Sequence, residues 1–146
     1  MLTDKEFRQL MDLRKFFDSP KRVLLPKNNE KSRYNVLSED PTETFIVDYD
    51  RSGSFELRHK TQLRHHQKNV LVRIEVNRSP HMNPNGEILG RNHIHIYREG
   101  ESDRWAYDLK SICPDFHEHM NVVELFQLFC AYCNIEIASI HLQGVL

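Results

Sequence analysis

Two histidines spaced two apart, with a carboxylate four residues further on, make the most chemically loaded stretch of this chain. His93-Ile94-His95 is followed by Tyr97 and Glu99 within NHIHIYREGESDRWAYDL, residues 92–109. On a strand, residues i and i+2 point to the same side, so His93, His95 and Tyr97 share one face and Ile94 and Ile96 take the other. The run LVRIEVNR (71–78) offers Arg73, Glu75 and Asn77 with the same alternation, and His81 follows in the next loop. If the aliphatic residues face a core, imidazoles, a guanidinium, a carboxylate and a phenol meet on the outer face of one sheet.

Such a set suits phosphodiester chemistry without a metal. Glu75 or a neutral histidine accepts a proton from an attacking hydroxyl, and a protonated histidine returns one to the leaving oxygen. Arg73, Arg58 and Lys60 are the candidates to offset the charge that develops on phosphorus. The candidate catalytic residues are therefore His81, His93, His95, Tyr97, Glu75 and Arg73. A second reading takes no metal as the default but notes that His93, His95 and Glu99 spell HxHxxxE. That pattern resembles the first metal motif of cupins, in which two strand histidines and a carboxylate hold a divalent ion. The third reading is plain: polar residues on the wet side of a half-exposed sheet. No cofactor is expected.

The elements that would position these residues follow from periodicity. Thr3 to Phe17 reads as a helix opened by a capping box, Thr3 and Glu6, and closed at Asp18-Ser19-Pro20. Val23-Leu24-Leu25 is a short extended run, and residues 27–43 read as a polar loop with one ordered touch at 34–37. The period then becomes two. Phe45, Val47 and Tyr49 alternate with polar neighbours, as do 55–63, 70–76 and 93–97, with turns at 51–54 and 64–68 and an Asn85-Gly86 signal in the loop between. Asn121 and Glu124 open a second helix running to Cys133, and 135–146 ends as a strand. The expected fold is α+β: an antiparallel meander of four to six strands with both helices packed on one face. One domain of 146 residues is expected, divided into 1–43, 44–109 and 110–146.

Charge is informative only locally. The net charge is −1, but residues 51–78 carry seven bases against two acids. Arg51, Arg58, Lys60, Arg64, Lys68 and Arg78 are the candidate nucleic-acid-binding residues of that block. A solvated face balanced by acidic neighbours explains the same composition. Trp105 is expected to pack against the end of the sheet, and Cys130 and Cys133 to be core thiols that close a helix. The charged N-terminus lacks a signal-peptide pattern, three cysteines do not make a paired framework, and no apolar run approaches the about 20 residues of a membrane span. A cytoplasmic location follows as the expectation.

The segments FIVDYDRSGSFEL (45–57), LVRIEVNRSPHMNPNGEILGRNHIHIYREGESDRWAYDL (71–109) and LFCAYCNIE (128–136) resemble a family of small uncharacterised bacterial proteins found on phage-derived and other mobile islands. The likeness covers most of residues 44–136 and leaves the first 40 residues outside. It carries no assigned activity. What it implies is a setting: cargo rich in toxins, antitoxins and anti-defence proteins. The expected functions are a toxin-like ribonuclease, a non-catalytic factor binding a host or defence protein or nucleic acid, or an HxH metal-binding protein. RNA, a defence protein or an antitoxin-like partner are the expected partners, and no membrane.

Overall fold

Thr3 and Glu6 start the first helix as their spacing predicts. The Thr3 hydroxyl accepts from the Glu6 N–H, and the Glu6 carboxylate accepts from the Thr3 N–H, in a computed structural model that describes residues 1–18, 22–53 and 58–144. This helix, α1, spans Asp4–Asp12 and is shorter than the apolar spacing suggested. Lys15–Phe17 leaves it as a strand, β1, because two neighbours claim its backbone. β1 pairs antiparallel with β3 (Lys31–Ser38) and parallel with β11 (Ile135–Glu136). Lys15 is fully buried there, and its Nζ donates to the carbonyls of Met11, Leu13 and Cys133 at 2.9–3.1 Å. Carbonyls at the end of α1 thus find a donor that helical periodicity could not foresee. The expected stop at Ser19-Pro20 lies outside the described residues.

The remaining elements are β2 (Arg22–Leu24), β4 (Thr44–Asp50), β5 (His59–His65), β6 (Asn69–Val76), β7 (His81–Met82), β8 (Ile88–Leu89), β9 (His93–Ile96), β10 (Ala106–Asp108), α2 (Leu109–Ile112), α3 (Val122–Tyr132) and β12 (His141–Gln143). The main sheet has eight strands in the order β10-β9-β6-β5-β4-β3-β1-β11, more than the four to six expected. β3 accounts for part of the difference. Its outward residues are polar, so a strand inside 27–43 reads as a loop in sequence, yet it pairs with β4 from Lys31↔Asp50 to Leu37↔Thr44. The fold class itself stands: a largely antiparallel sheet with a short helix near the start and a longer one near the end. β2 and β12 form a separate parallel pair, and β7 and β8 a small hairpin.

One face of the sheet is the core. Val47, Tyr49, Leu63, Val72, Ile74 and Ile94 are buried on it, together with Phe126 and Phe129 of α3 and Leu10 of α1. α3 begins at Asn121, whose side chain and Glu124 make the expected reciprocal cap. Phe126 stacks on Phe17 and on Tyr49, with ring centroids 5.9 and 5.6 Å apart. Cys130 and Cys133 are free core thiols, as expected. Among the described residues no helix is long and apolar enough to cross a membrane.

Candidate metal centre on the polar face of the sheet

Register decides which side chains meet. β6 and β9 pair with Arg73 opposite His95 and Glu75 opposite His93. β5 and β6 pair with Gln62 opposite Arg73 and Lys60 opposite Glu75. Opposed residues share a face, so these six side chains lie opposite the core, as alternation predicts. Ile94 and Ile74 anchor the other side.

Each imidazole is fixed by its Nδ1. In His93 it donates to the Gly90 carbonyl at 2.9 Å, and in His95 to the Asp103 carbonyl at 2.8 Å. A carbonyl oxygen only accepts, so both Nδ1 atoms carry hydrogen, and whenever such a ring is neutral its Nε2 presents a lone pair. Both Nε2 atoms approach the same oxygen, Oε2 of Glu75, at 3.4 Å from His93 and 3.0 Å from His95. Arg73 Nε also donates to this oxygen at 3.1 Å, while its terminal nitrogen pairs with Asp103. Burial opposes the charge on Glu75, but hydrogen bonds from His93 and His95, where those imidazoles carry the Nε2 proton, together with the Arg73 charge outweigh it and hold the carboxyl far below its usual range. Burial keeps His95 below the ordinary imidazole value, with Glu75 pulling the other way.

The consequence is an unusual contact. In the neutral form that burial favours, Nε2 of His95 faces a carboxylate oxygen and two acceptors meet. Nε2 of His95 is buried and has no hydrogen-bond partner among the described residues. Its 3.0 Å approach to Glu75 is not aligned as a hydrogen bond. One donor atom from each of Glu75, His93 and His95 falls within 4.8 Å of the other two. A tetrahedral ion with N and O ligands near 2.0–2.2 Å holds its donors about 3.3 Å apart. The two Nε2–Oε2 distances fit that spacing, and the Nδ1–carbonyl bonds are the outer contacts that orient metal-binding histidines.

Other expected members sit elsewhere. His81 is close: its ring centroid is 4.6 Å from that of His95, and its Nε2 meets the Arg104 carbonyl at 2.9 Å. Tyr97 lies past the end of β9, stacks on Phe7 of α1, and donates its hydroxyl to the Leu2 carbonyl. Glu99 also belongs to α1, since its carboxylate accepts the Asp4 N–H at 2.9 Å while the Glu99 N–H donates to the Asp4 side chain. Neither joins the histidines. The carboxylate completing the set is Glu75, from the neighbouring strand.

The basic block does not form one free strip. Arg51 is buried and donates to the Pro26 carbonyl. Arg64 holds Asp48 at 2.6 Å and the Gln67 carbonyl, and Arg78 holds the Ser52 carbonyl and Asp50. Arg58 is half-buried and Lys68 lies exposed in a turn. Lys60 faces a groove of about 430 Å³ on the polar side, whose other walls include Lys31, Arg33, Asp48, Asp50 and Gln62. Lys31 and Arg33 were hidden in sequence by the loop-like composition of β3. Trp105 is half-buried, with the Arg98 guanidinium 4.2 Å above its ring. Residues 55–57, the expected start of the alternating run 55–63, lie outside the described residues.

An open, mainly antiparallel sheet with helices on the core side and a Glu-His-His cluster on the other defines an α+β domain with a donor-bearing polar face. The chain belongs to the family of unknown function DUF6978, whose model matches residues 2–135. That match takes in residues 2–40, and with them α1, β1, β2 and the whole of β3. No curated protein and no solved structure matches the chain.

Proposed function

We propose that this chain is a metal-binding protein that holds one divalent transition-metal ion through Glu75, His93 and His95. The observation behind this reading is Nε2 of His95, buried without a hydrogen bond and set 3.0 Å from Glu75 Oε2. A cation between the two relieves the meeting of acceptors and uses a tautomer the backbone already selects. Two imidazoles and a carboxylate suit zinc, iron, cobalt or nickel rather than calcium or magnesium. The donors resemble those of cupins, but the strands form an open sheet. Elemental analysis and zinc titration of untagged protein test the reading. One tightly held ion is expected, lost in Glu75→Gln and in His95→Ala with the fold retained by circular dichroism. A wild-type chain that takes up no zinc at micromolar concentration would sink it.

A second reading keeps the same residues without a metal: acid/base cleavage of RNA, with Arg73 next to the phosphate. The groove carrying Lys60 on the same face favours it, since Lys60 stands directly across from Glu75. Against it, His93 and His95 are 1% and 2% exposed, so a phosphate cannot reach them without movement of the covering loops. RNA cleavage that persists in EDTA and disappears in His95→Ala would select this reading. Its setting would be the toxin or anti-defence cargo that the sequence resemblance implies.

A further inference from the structure

A second group of the same composition lies at one end of the sheet, where the turn before β4 meets the β5–β6 hairpin. Glu43, His65 and His66 each place a donor atom within 4.8 Å of the other two. Nε2 of His65 makes a 2.5 Å hydrogen bond with Oε2 of Glu43, which an ion would replace by spreading the two donors apart, and Nε2 of His66 lies 3.2 Å from the same oxygen. Adjacent residues of a flat strand point apart. These two converge because His66 leaves the strand with φ +51°, and the ring centroids come within 3.8 Å.

The backbone bears a cost for this arrangement. His66 and Gln67, φ +51° and +63°, form the centre of a tight turn closed by the Lys68 N–H on the His65 carbonyl. Such turns favour Asn-Gly, and a side chain in the left-handed region costs about 1–2 kcal/mol. Glu43 is held from its own backbone: its N–H donates to Ser38 Oγ at 3.1 Å and its carbonyl accepts the Ser38 N–H. The Thr44 hydroxyl lies 3.2 Å from Nδ1 of His66, an outer contact that can fix the tautomer offering Nε2.

Access distinguishes this cluster from the first. The His66 side chain is 53% exposed and that of Glu43 32%. A cavity of about 220 Å³ beneath α1 reaches His65 and Glu43, and another of about 250 Å³ borders His66 on the side of Asp18 and Asn35. Water can therefore complete the coordination of an ion here.

We propose that Glu43, His65 and His66 form a second, solvent-open site for a hydrated divalent transition-metal ion, weaker and faster-exchanging than a buried one. The ion joins two hairpin turns that otherwise meet through side chains. This proposal uses none of the residues of the buried centre and stands or falls separately from it.

Calorimetric titration of the full untagged chain with zinc chloride tests it. The expected result is a weaker binding event that disappears in Glu43→Gln and in His66→Asn, the latter chosen because asparagine tolerates the left-handed turn. Any tighter event should persist in both variants and vanish in Glu75→Gln. If only the weaker event is seen, and it is lost in Glu43→Gln and His66→Asn, this site stands and the buried centre falls. Zinc isotherms unchanged in both variants overturn the second site, as does a wild-type chain whose only event is removed by Glu75→Gln.

Discussion

His59 shows how a single buried side chain couples this fold to pH. It is almost fully buried beside Tyr49, with which it shares a hydrogen bond, and burial together with Arg51 and Arg78 lowers its pKa from 6.5 to about 3. Between those values the unfolded chain binds a proton that the native state refuses, so stability falls as pH drops from about 6.5 towards 3. Urea midpoints measured from pH 7 to pH 4.5 should decline, and in His59→Gln the decline should be shallower. The window stays above the ordinary carboxylate range, so it excludes most of the contribution from Glu75, although His95, also depressed, adds to it with the same sign. An equal slope in His59→Gln would refute the assignment. At this same scale, Glu75, Arg73, His93 and His95 were legible in sequence because all lie on strands where a period of two holds. Tyr97 and Glu99 were misplaced because the strand ends at Ile96 and the parity argument ends with it.

Elements were legible where their two faces differ in polarity. The register between strands was not legible, but β5 alternates cleanly, and β4 and β6 do so except at Ile46 and Leu71. β3 does not, since Lys31, Ser32, Arg33 and Asn35 fill its outer half with polar side chains. β1 was absorbed into the helix before it because Phe17 continues the spacing of Leu10 by chance. Both strands exist through partners remote in sequence, which no local pattern encodes. The β5–β6 hairpin adds a prediction. Gln67→Gly removes a side chain from φ +63° and should stabilise the protein by up to roughly 1 kcal/mol, net of the extra freedom of glycine in the unfolded chain. Its urea midpoint should rise with no change in zinc stoichiometry. A lower midpoint would mean that Gln67 makes a compensating contact.

For the whole molecule, a charge block in sequence was not a charge patch in space. Arg51 and Arg78 are occupied inside the fold and Arg64 holds Asp48 in the wall of a groove. Around that groove Lys31, near Asp50, and Arg33, paired with Asp48, join Lys60. If RNA binds, those three should carry its salt dependence. Replacing them together with glutamine should flatten the slope of log K against log salt by about one unit per lost phosphate contact. A slope that changes only when Lys68 is replaced would move the contact to the hairpin turn.

The pairing of β1 with β11 bears on synthesis. Residues 15 and 135 are partners, and residues 22 and 141 likewise. A ribosome must therefore reach residue 135, about 120 residues after β1, before the β1 side of the sheet gains its outermost strand. Until then the nascent protein exposes an open edge beside its first helix, and closing so long a loop late makes folding slow for a protein of this size.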